Sequence, residues 1–233
     1  MMPLNEAAIK SETAPSPLTQ WASYLRFRLF QSLLHPFSDW ARSRRMRTMM
    51  RLVKINESTK ILDIGGAPGI WNHHFLPRLT ITILNLPGAI EQSHDSRHNL
   101  AYTSGDGCDV QGIPDTSFDF VFSNSVIEHV GDANRRARFA KEVRRLGRSY
   151  WVQTPCIYFP IEAHTGMPFW WYYPNILRKP IIDGWRRKLP AWTDMVEGTT
   201  VVSKQELRQL FPDAKILTER LLGIPKSYIA LKA

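Results

Sequence analysis

Cysteine is scarce in this chain of 233 residues, which holds two, Cys108 and Cys156. They stand apart without C-x-x-C spacing, so neither a disulfide framework nor a cysteine zinc site is indicated, and a reducing, cytoplasmic setting is the simplest expectation. Long apolar runs are missing as well. No run reaches the roughly 18 apolar residues that a membrane-spanning helix needs. Glu6, Lys10 and Glu12 interrupt the start of the chain, so no signal peptide is expected. Negative charge is in deficit: 30 Lys and Arg against 21 Asp and Glu leave a formal charge of +9. Much of the excess lies between Arg26 and Lys60, with a second cluster at Arg178-Lys179 and Arg186-Arg187-Lys188. Such patches either form a solvated surface or attract anionic lipid or nucleic acid.

What the chain does have is a dense local signal, Lys60-Ile61-Leu62-Asp63-Ile64-Gly65-Gly66-Ala67-Pro68-Gly69-Ile70-Trp71. Ile61, Leu62 and Ile64 suit a strand covered on both faces, and the glycines permit tight turning and close approach of a ligand to backbone. A helix from Ile70 to Leu79 is expected to follow, its free N–H groups suited to a carboxylate or phosphate. The dinucleotide fingerprint G-x-G-x-x-G does not fit. Counting from Gly65, the third position is Ala67 and the sixth is Ile70, and the next strand ends at Asn85 with no acidic residue there.

Asp63, Gly65 and Gly69 form D-x-G-x-x-x-G, which resembles the first motif of class I S-adenosylmethionine (SAM)-dependent methyltransferases. The likeness continues in order through Asn85, Ser104-Gly105-Asp106-Gly107, Ser117-Phe118-Asp119-Phe120-Val121 and Val126-Ile127-Glu128-His129-Val130. That last segment looks like the V-L-E-H-V of the broad small-molecule and lipid group of these enzymes, the "methyltransferase type 11" group. The resemblance implies SAM as cofactor. It places Asp63, Gly65, Gly66 and Gly69 at the methionine part, Asn85 and Leu86 at the ribose, Gly105, Asp106 and Gly107 at the adenine, and Asn124 near the amine. Ala67 for the usual middle glycine and Asn85 for the usual acid are departures from the pattern.

The predicted architecture is α/β, a Rossmann-like doubly wound sheet of about seven mostly parallel strands; the resemblance adds that the last strand is antiparallel. Residues 1–17 read as a flexible tail. Residues 18–54 read as a helical lid or an interfacial segment, with helices over Leu18–Leu34 and Ser38–Leu52. Residues 55–233 read as the methyltransferase domain. Strands are expected near Asn99–Thr103, Asp119–Ser123, Tyr150–Gln153, Ala214–Leu222 and Ser227–Leu231, with helices over Ala133–Leu146, stopped by Gly147, and Ser203–Leu210, opened by a Ser203-x-x-Glu206 capping box. Within the domain, 155–193 is an aromatic and proline-rich insertion after the fifth strand, placed to wall an acceptor pocket.

Methyl transfer requires an acceptor held in line and, for a hydroxyl acceptor, removal of a proton. His129 and His164 are the candidate bases, each with a duller structural alternative, and Glu162 is placed to orient His164. Glu128, Tyr158, Glu162 and Trp170 are the candidate acceptor contacts. His73 and His74, expected side by side on a helix, lack the i, i+4 spacing of a metal pair, and no metal is predicted. The expected partner is a small-molecule or lipid-linked acceptor methylated at oxygen. Peripheral contact with the inner face of an anionic membrane through 18–54 is a second expectation. Gly65–Trp71 is also similar to the loop of heat-shock-type RNA 2′-O-methyltransferases, but Gln153 stands where their tetrad needs lysine, so nucleic acid is the less favoured partner. A SAM-binding or membrane-surface protein without catalysis is the alternative of another class.

Overall fold

The computed structural model describes residues 39–89, 97–162 and 164–233. The expected tail and the helix over Leu18–Leu34 lie outside them. Residues 39–52 are helical (α1), in agreement with the second expected helix. Seven strands follow: β1 Lys60–Ile64, β2 Thr80–Asn85, β3 Asn99–Ser104, β4 Phe118–Asn124, β5 Gly147–Pro155, β6 Lys215–Leu221 and β7 Ile224–Lys232. Four helices intervene: α2 Ala133–Leu146, α3 Asn175–Lys188, α4 Pro190–Gly198 and α5 Lys204–Leu210.

The sheet order is β3-β2-β1-β4-β5-β7-β6. Six strands run parallel, and β7 is antiparallel to both β5 and β6. Side chains alternate across this sheet and fill two cores, since successive strand residues point to opposite faces. Leu62, Ile64 and Val121 join Phe139, Val143 and Leu146 of α2 and Leu207 of α5 on one face. Ile61, Ile81, Phe120 and Trp151 join Met46 and Met49 of α1 and Trp71 on the other. Each large apolar side chain fully buried here contributes roughly 1.5–3 kcal/mol.

Two local expectations are corrected. The helix over Ile70–Leu79 does not form: the motif leads into a single 3-10 turn, Pro68–Trp71. Pro77 disfavours a helical residue before it, so only a short interval remains after Gly69, and Asn72, His73 and His74 are weak helix formers. His98 takes up the backbone instead, its Nδ1 accepting from Leu79 N–H at 3.2 Å and its Nε2 lying 2.9 Å from the Trp71 carbonyl. His73 and His74 therefore sit on no helix, and His73 stacks on Phe75. The second correction concerns Gly147, which ends α2 in extended backbone (φ −111°) rather than a left-handed cap. It is glycine for another reason: a Cβ there would lie 2.6 Å from Val121 Cγ2.

The capping box at α5 forms by half. Ser203 accepts from Glu206 N–H at 3.0 Å, while the Glu206 carboxylate turns to Arg136 at 2.6 Å. The insertion also holds structure that its composition did not announce, a helical hairpin of α3 and α4. Trp170 is its anchor, 1% exposed, with the Trp185 ring at 5.1 Å, and Trp192 meets Trp185 edge to face at 4.9 Å.

Candidate active site

In a parallel sheet, a crevice opens where the strand order reverses, at the carboxyl ends of the strands. Here that point lies between β1 and β4, and the glycine loop after β1 sits on it. Gly65 takes φ +71°, and a Cβ on it would press the Val126 methyls at 2.7 Å. At Gly66 a Cβ would fall 1.8 Å from Asp63 Oδ2, so glycine is required by the carboxylate beneath the loop. Trp71 Nε1–H donates to that same oxygen at 2.7 Å, which ties the end of the 3-10 turn back to β1. Asp63 is fully buried, and Oδ1 has no partner among the described residues. Burial pushes its carboxyl up to about 7, against the opposing Trp71 hydrogen bond.

A cavity of about 660 Å³ opens from the loop, within the roughly 300–1,000 Å³ range of small-ligand sites. Of the residues expected at the cofactor, Asp63, Gly65, Gly66, Gly69 and Asn124 line it; of those expected at the acceptor, Glu128 and Glu162 do; and of the two candidate bases, His164 lines it and His129 stands behind it. Other expected residues lie elsewhere. Asn85 Nδ2 donates to the Gly66 carbonyl at 3.1 Å and its Oδ1 accepts from Leu86 N–H, so an amide suits this position where a carboxylate could not donate. Asp106 accepts from Cys108 N–H and pairs with Arg135 at 2.9 Å, in a turn flanked by Gly105 and Gly107. Burial works against ionisation of Asp106, but these two contacts outweigh it and hold its carboxyl below the usual range. Leu86 and Tyr158 are exposed, and Trp170 is sealed in the hairpin core; Trp171 lines the cavity instead.

The expectations missed Arg45. It projects from α1 through the floor of the cavity, donating to Asn124 Oδ1 at 2.5 Å, Gln153 Oε1 at 3.0 Å and Glu219 Oε2 at 2.8 Å. Burial would raise the Glu219 carboxyl, but the Arg45 charge outweighs it and holds the group down. Ser125, in the left-handed region at φ 57°, donates to Gln153 Oε1 beside it. A signal for Arg45 existed in the sequence. Ala41, Arg45 and Met49 recur every four residues, which puts an arginine on the buried stripe of a helix.

At the far wall a polar chain assembles from three segments. Glu128 and His129 come from the 3-10 turn Ile127–His129 after β4, His164 and Glu162 from the loop after β5, and Thr199 from the end of α4. His129 Nε2 lies 2.9 Å from His164 Nε2, and His164 Nδ1 lies 2.8 Å from Glu162 Oε1. Thr199 Oγ1 donates to the Met195 carbonyl and stands 3.2 Å from His129 Nδ1, so that nitrogen carries the proton toward Thr199. His164 then donates from both nitrogens, to Glu162 and to His129. Burial would lower the His164 imidazole, but the Glu162 hydrogen bond and charge outweigh it and raise it. Burial and then the charge of His164 push His129 down to about 4. Burial would also raise Glu162, but His164 and the Thr165 amide hold it below its usual range. Glu128 is buried with Thr154 donating to Oε2 at 3.1 Å, and burial pushes it up to about 7.

Residues 62–149 match the family model described as a methyltransferase domain. That matched span is a SAM-dependent methyltransferase domain of class I. The family implies SAM as its cofactor. No curated protein matches the sequence significantly. Among solved structures, the methyltransferase is similar to a SAM-dependent methyltransferase from Archaeoglobus fulgidus, at 14% identity over 82% of this chain and 94% of that one, with a TM-score of 0.50. A second similar structure is a SAM-dependent methyltransferase from Thermotoga maritima, described as a possible histamine N-methyltransferase. It is 12% identical over 92% of this chain and 99% of that one, with a TM-score of 0.49. At this identity the Archaeoglobus likeness supports the fold, with the antiparallel β7 that the methyltransferase resemblance predicts. Among the described residues, no helix is long and apolar enough to cross a membrane.

Proposed function

We propose that this methyltransferase moves a methyl group to an oxygen of a small-molecule or lipid-linked acceptor bound against the aromatic insertion. The observation that supports this reading is the continuity of one cavity from the glycine loop to Glu128 and His164, walled by Phe159, Ile161 and Trp171. The residues at the loop fit SAM. Gly65, Gly66 and Gly69 leave backbone bare on the cavity floor, and the orphaned Asp63 oxygen lies beneath it. Bound SAM would supply an electrophilic methyl group on a sulfonium. Asp63 and Asn124 would face its methionine part, and Asn85 would serve by holding the Gly66 carbonyl in place.

The protein's own work is positioning and proton handling. Apolar walls exclude water and orient the acceptor, and the proton of its hydroxyl would pass to the His129–His164 pair by way of His164, which lines the cavity. Glu162 and Thr199 fix the two rings, so their Nε2 atoms meet in one geometry. A mostly apolar wall with a few polar groups suits an acceptor that is itself largely apolar. The test is transfer of tritiated methyl from SAM into fractionated extracts, together with calorimetry of SAM binding. Label is expected in the small-molecule or lipid fraction. Label confined to RNA, or no SAM binding at near-millimolar cofactor, would overturn the reading.

A further inference from the structure

We propose that Glu128, His129 and His164 bind one divalent first-row transition ion, of which zinc is the best fit. One ligand atom from each residue lies within 4.8 Å of the other two. The two Nε2 atoms face each other at 2.9 Å, and two lone pairs at that distance need a proton or a cation between them. Nitrogens held at ~2.1 Å from a metal stand ~3.0 Å apart at a right angle and ~3.4 Å apart at the tetrahedral angle, so the two rings need to part by only about 0.5 Å to share a tetrahedral ion.

The surroundings are those of a metal site. Metal-binding histidines commonly give their second nitrogen to a carboxylate or other acceptor, which fixes the ring and raises its basicity. His164 gives Nδ1 to Glu162, and His129 gives Nδ1 to Thr199, so both Nε2 atoms are left for the ion. Glu128 supplies the second, independent observation. It is 1% exposed, its Oε2 takes the Thr154 hydroxyl, and its Oε1 has no partner among the described residues. A buried carboxylate oxygen without a partner is costly, and a doubly charged ion removes that cost. Two imidazoles and one carboxylate suit zinc and its neighbours better than magnesium or calcium, which prefer all-oxygen sites.

Three protein ligands leave a coordination position open, the pattern of reactive rather than structural zinc. Glu128 and His164 line the cavity, so that position faces the acceptor. Binding the ion displaces the proton shared by the two Nε2 atoms. An acceptor hydroxyl on the open position would be made more acidic, and the histidines would act as ligands rather than as free bases. This last role rests on the oxygen-transfer reading; the site itself does not.

Cobalt(II) titration of the full-length, tag-free, metal-stripped chain tests the site through visible absorption. One cobalt per chain, displaced by zinc, is expected. His164→Ala should lose the band, Glu128→Gln should weaken binding, and Glu162→Gln should cost roughly 10–100-fold in affinity through the ring it orients. His74→Ala, at an exposed histidine away from the site, should leave the band unchanged. Thermal unfolding and SAM calorimetry on each variant separate a lost site from a lost fold. Absence of a band at excess cobalt in a folded chain overturns the site, whatever that chain does with SAM. A band equally strong in folded His164→Ala and Glu128→Gln does the same. A normal band with no methyl label in any fraction leaves the site standing and sinks the oxygen-transfer reading instead.

Discussion

Gly66 and Asp63 show how closely one residue can dictate its neighbour. A methyl group on Gly66 would sit 1.8 Å from the Asp63 carboxylate. Gly66→Ala should therefore weaken SAM binding at least tenfold in calorimetry and cost roughly 1–3 kcal/mol in urea unfolding, since backbone and carboxylate must both give. Asp63 makes a second prediction, on pH. Its folded carboxyl is held near 7 while the unfolded one lies near 3.8, so the folded state keeps the proton longer. Stability from this group is present below the unfolded value and is lost as pH rises from about 4 to about 7, by on the order of 3–4 kcal/mol if nothing else compensates. Asp63→Asn cannot titrate. Its urea midpoint should fall less steeply over that window than the parent's, the remaining slope coming from Glu128, which burial also raises to about 7, and parallel curves for the two proteins would show the assignment to be wrong.

Among the elements, β6 and β7 carry a correctable strain. They are joined by Leu222 and Gly223, both with positive φ, the pattern of a two-residue type I′ turn. Leu222 is 93% exposed, so its side chain contributes nothing that offsets the left-handed backbone. Leu222→Asn should raise stability by roughly 0.5–1 kcal/mol and leave methyl transfer alone, which thermal melts and a transfer assay would check. Elements whose periodicity is set by burial were legible in the sequence. The α2 boundaries match the expected Ala133–Leu146, because Phe139, Val143 and Leu146 mark a helical face and Asp132 caps its start. The turn after Gly69 was not legible. Whether that segment becomes a helix depends on Trp71 reaching Asp63 and on His98 holding its carbonyl, contacts made across 8 and 27 positions.

For the molecule as a whole, the insertion is tied to the polar chain at the far wall of the cavity. α4 ends at Gly198 and leads into Thr199 and Thr200; Thr199 meets His129, and the Thr200 amide and hydroxyl both donate to the Glu128 carbonyl. The hairpin hangs on Trp170, since α3 has no buried residue of its own. Trp170→Ala should cost roughly 3–5 kcal/mol of hairpin stability and speed hydrogen exchange over 175–198 while the sheet stays protected. Acceptor turnover should then fall further than SAM affinity. Equal losses in both would mean that the hairpin supports the whole fold and not the acceptor wall.

The sequence by itself determined the order of the strands, the helices α2 and α5, the glycine loop at the switch point and the methyltransferase motifs, because each rests on residues close together in the chain. It also named Asp63, Asn124, Glu128 and the Glu162–His164 pair, which do reach one cavity. The tertiary structure alone decided that Arg45 from α1 forms the floor, that Trp171 rather than Trp170 faces the ligand space, and that Asn85 braces the loop. It also brought Glu128, His129 and His164 together around one point. Those outcomes depend on how separate segments pack, and the sheet sets that packing only after its strands have been brought together from distant parts of the chain.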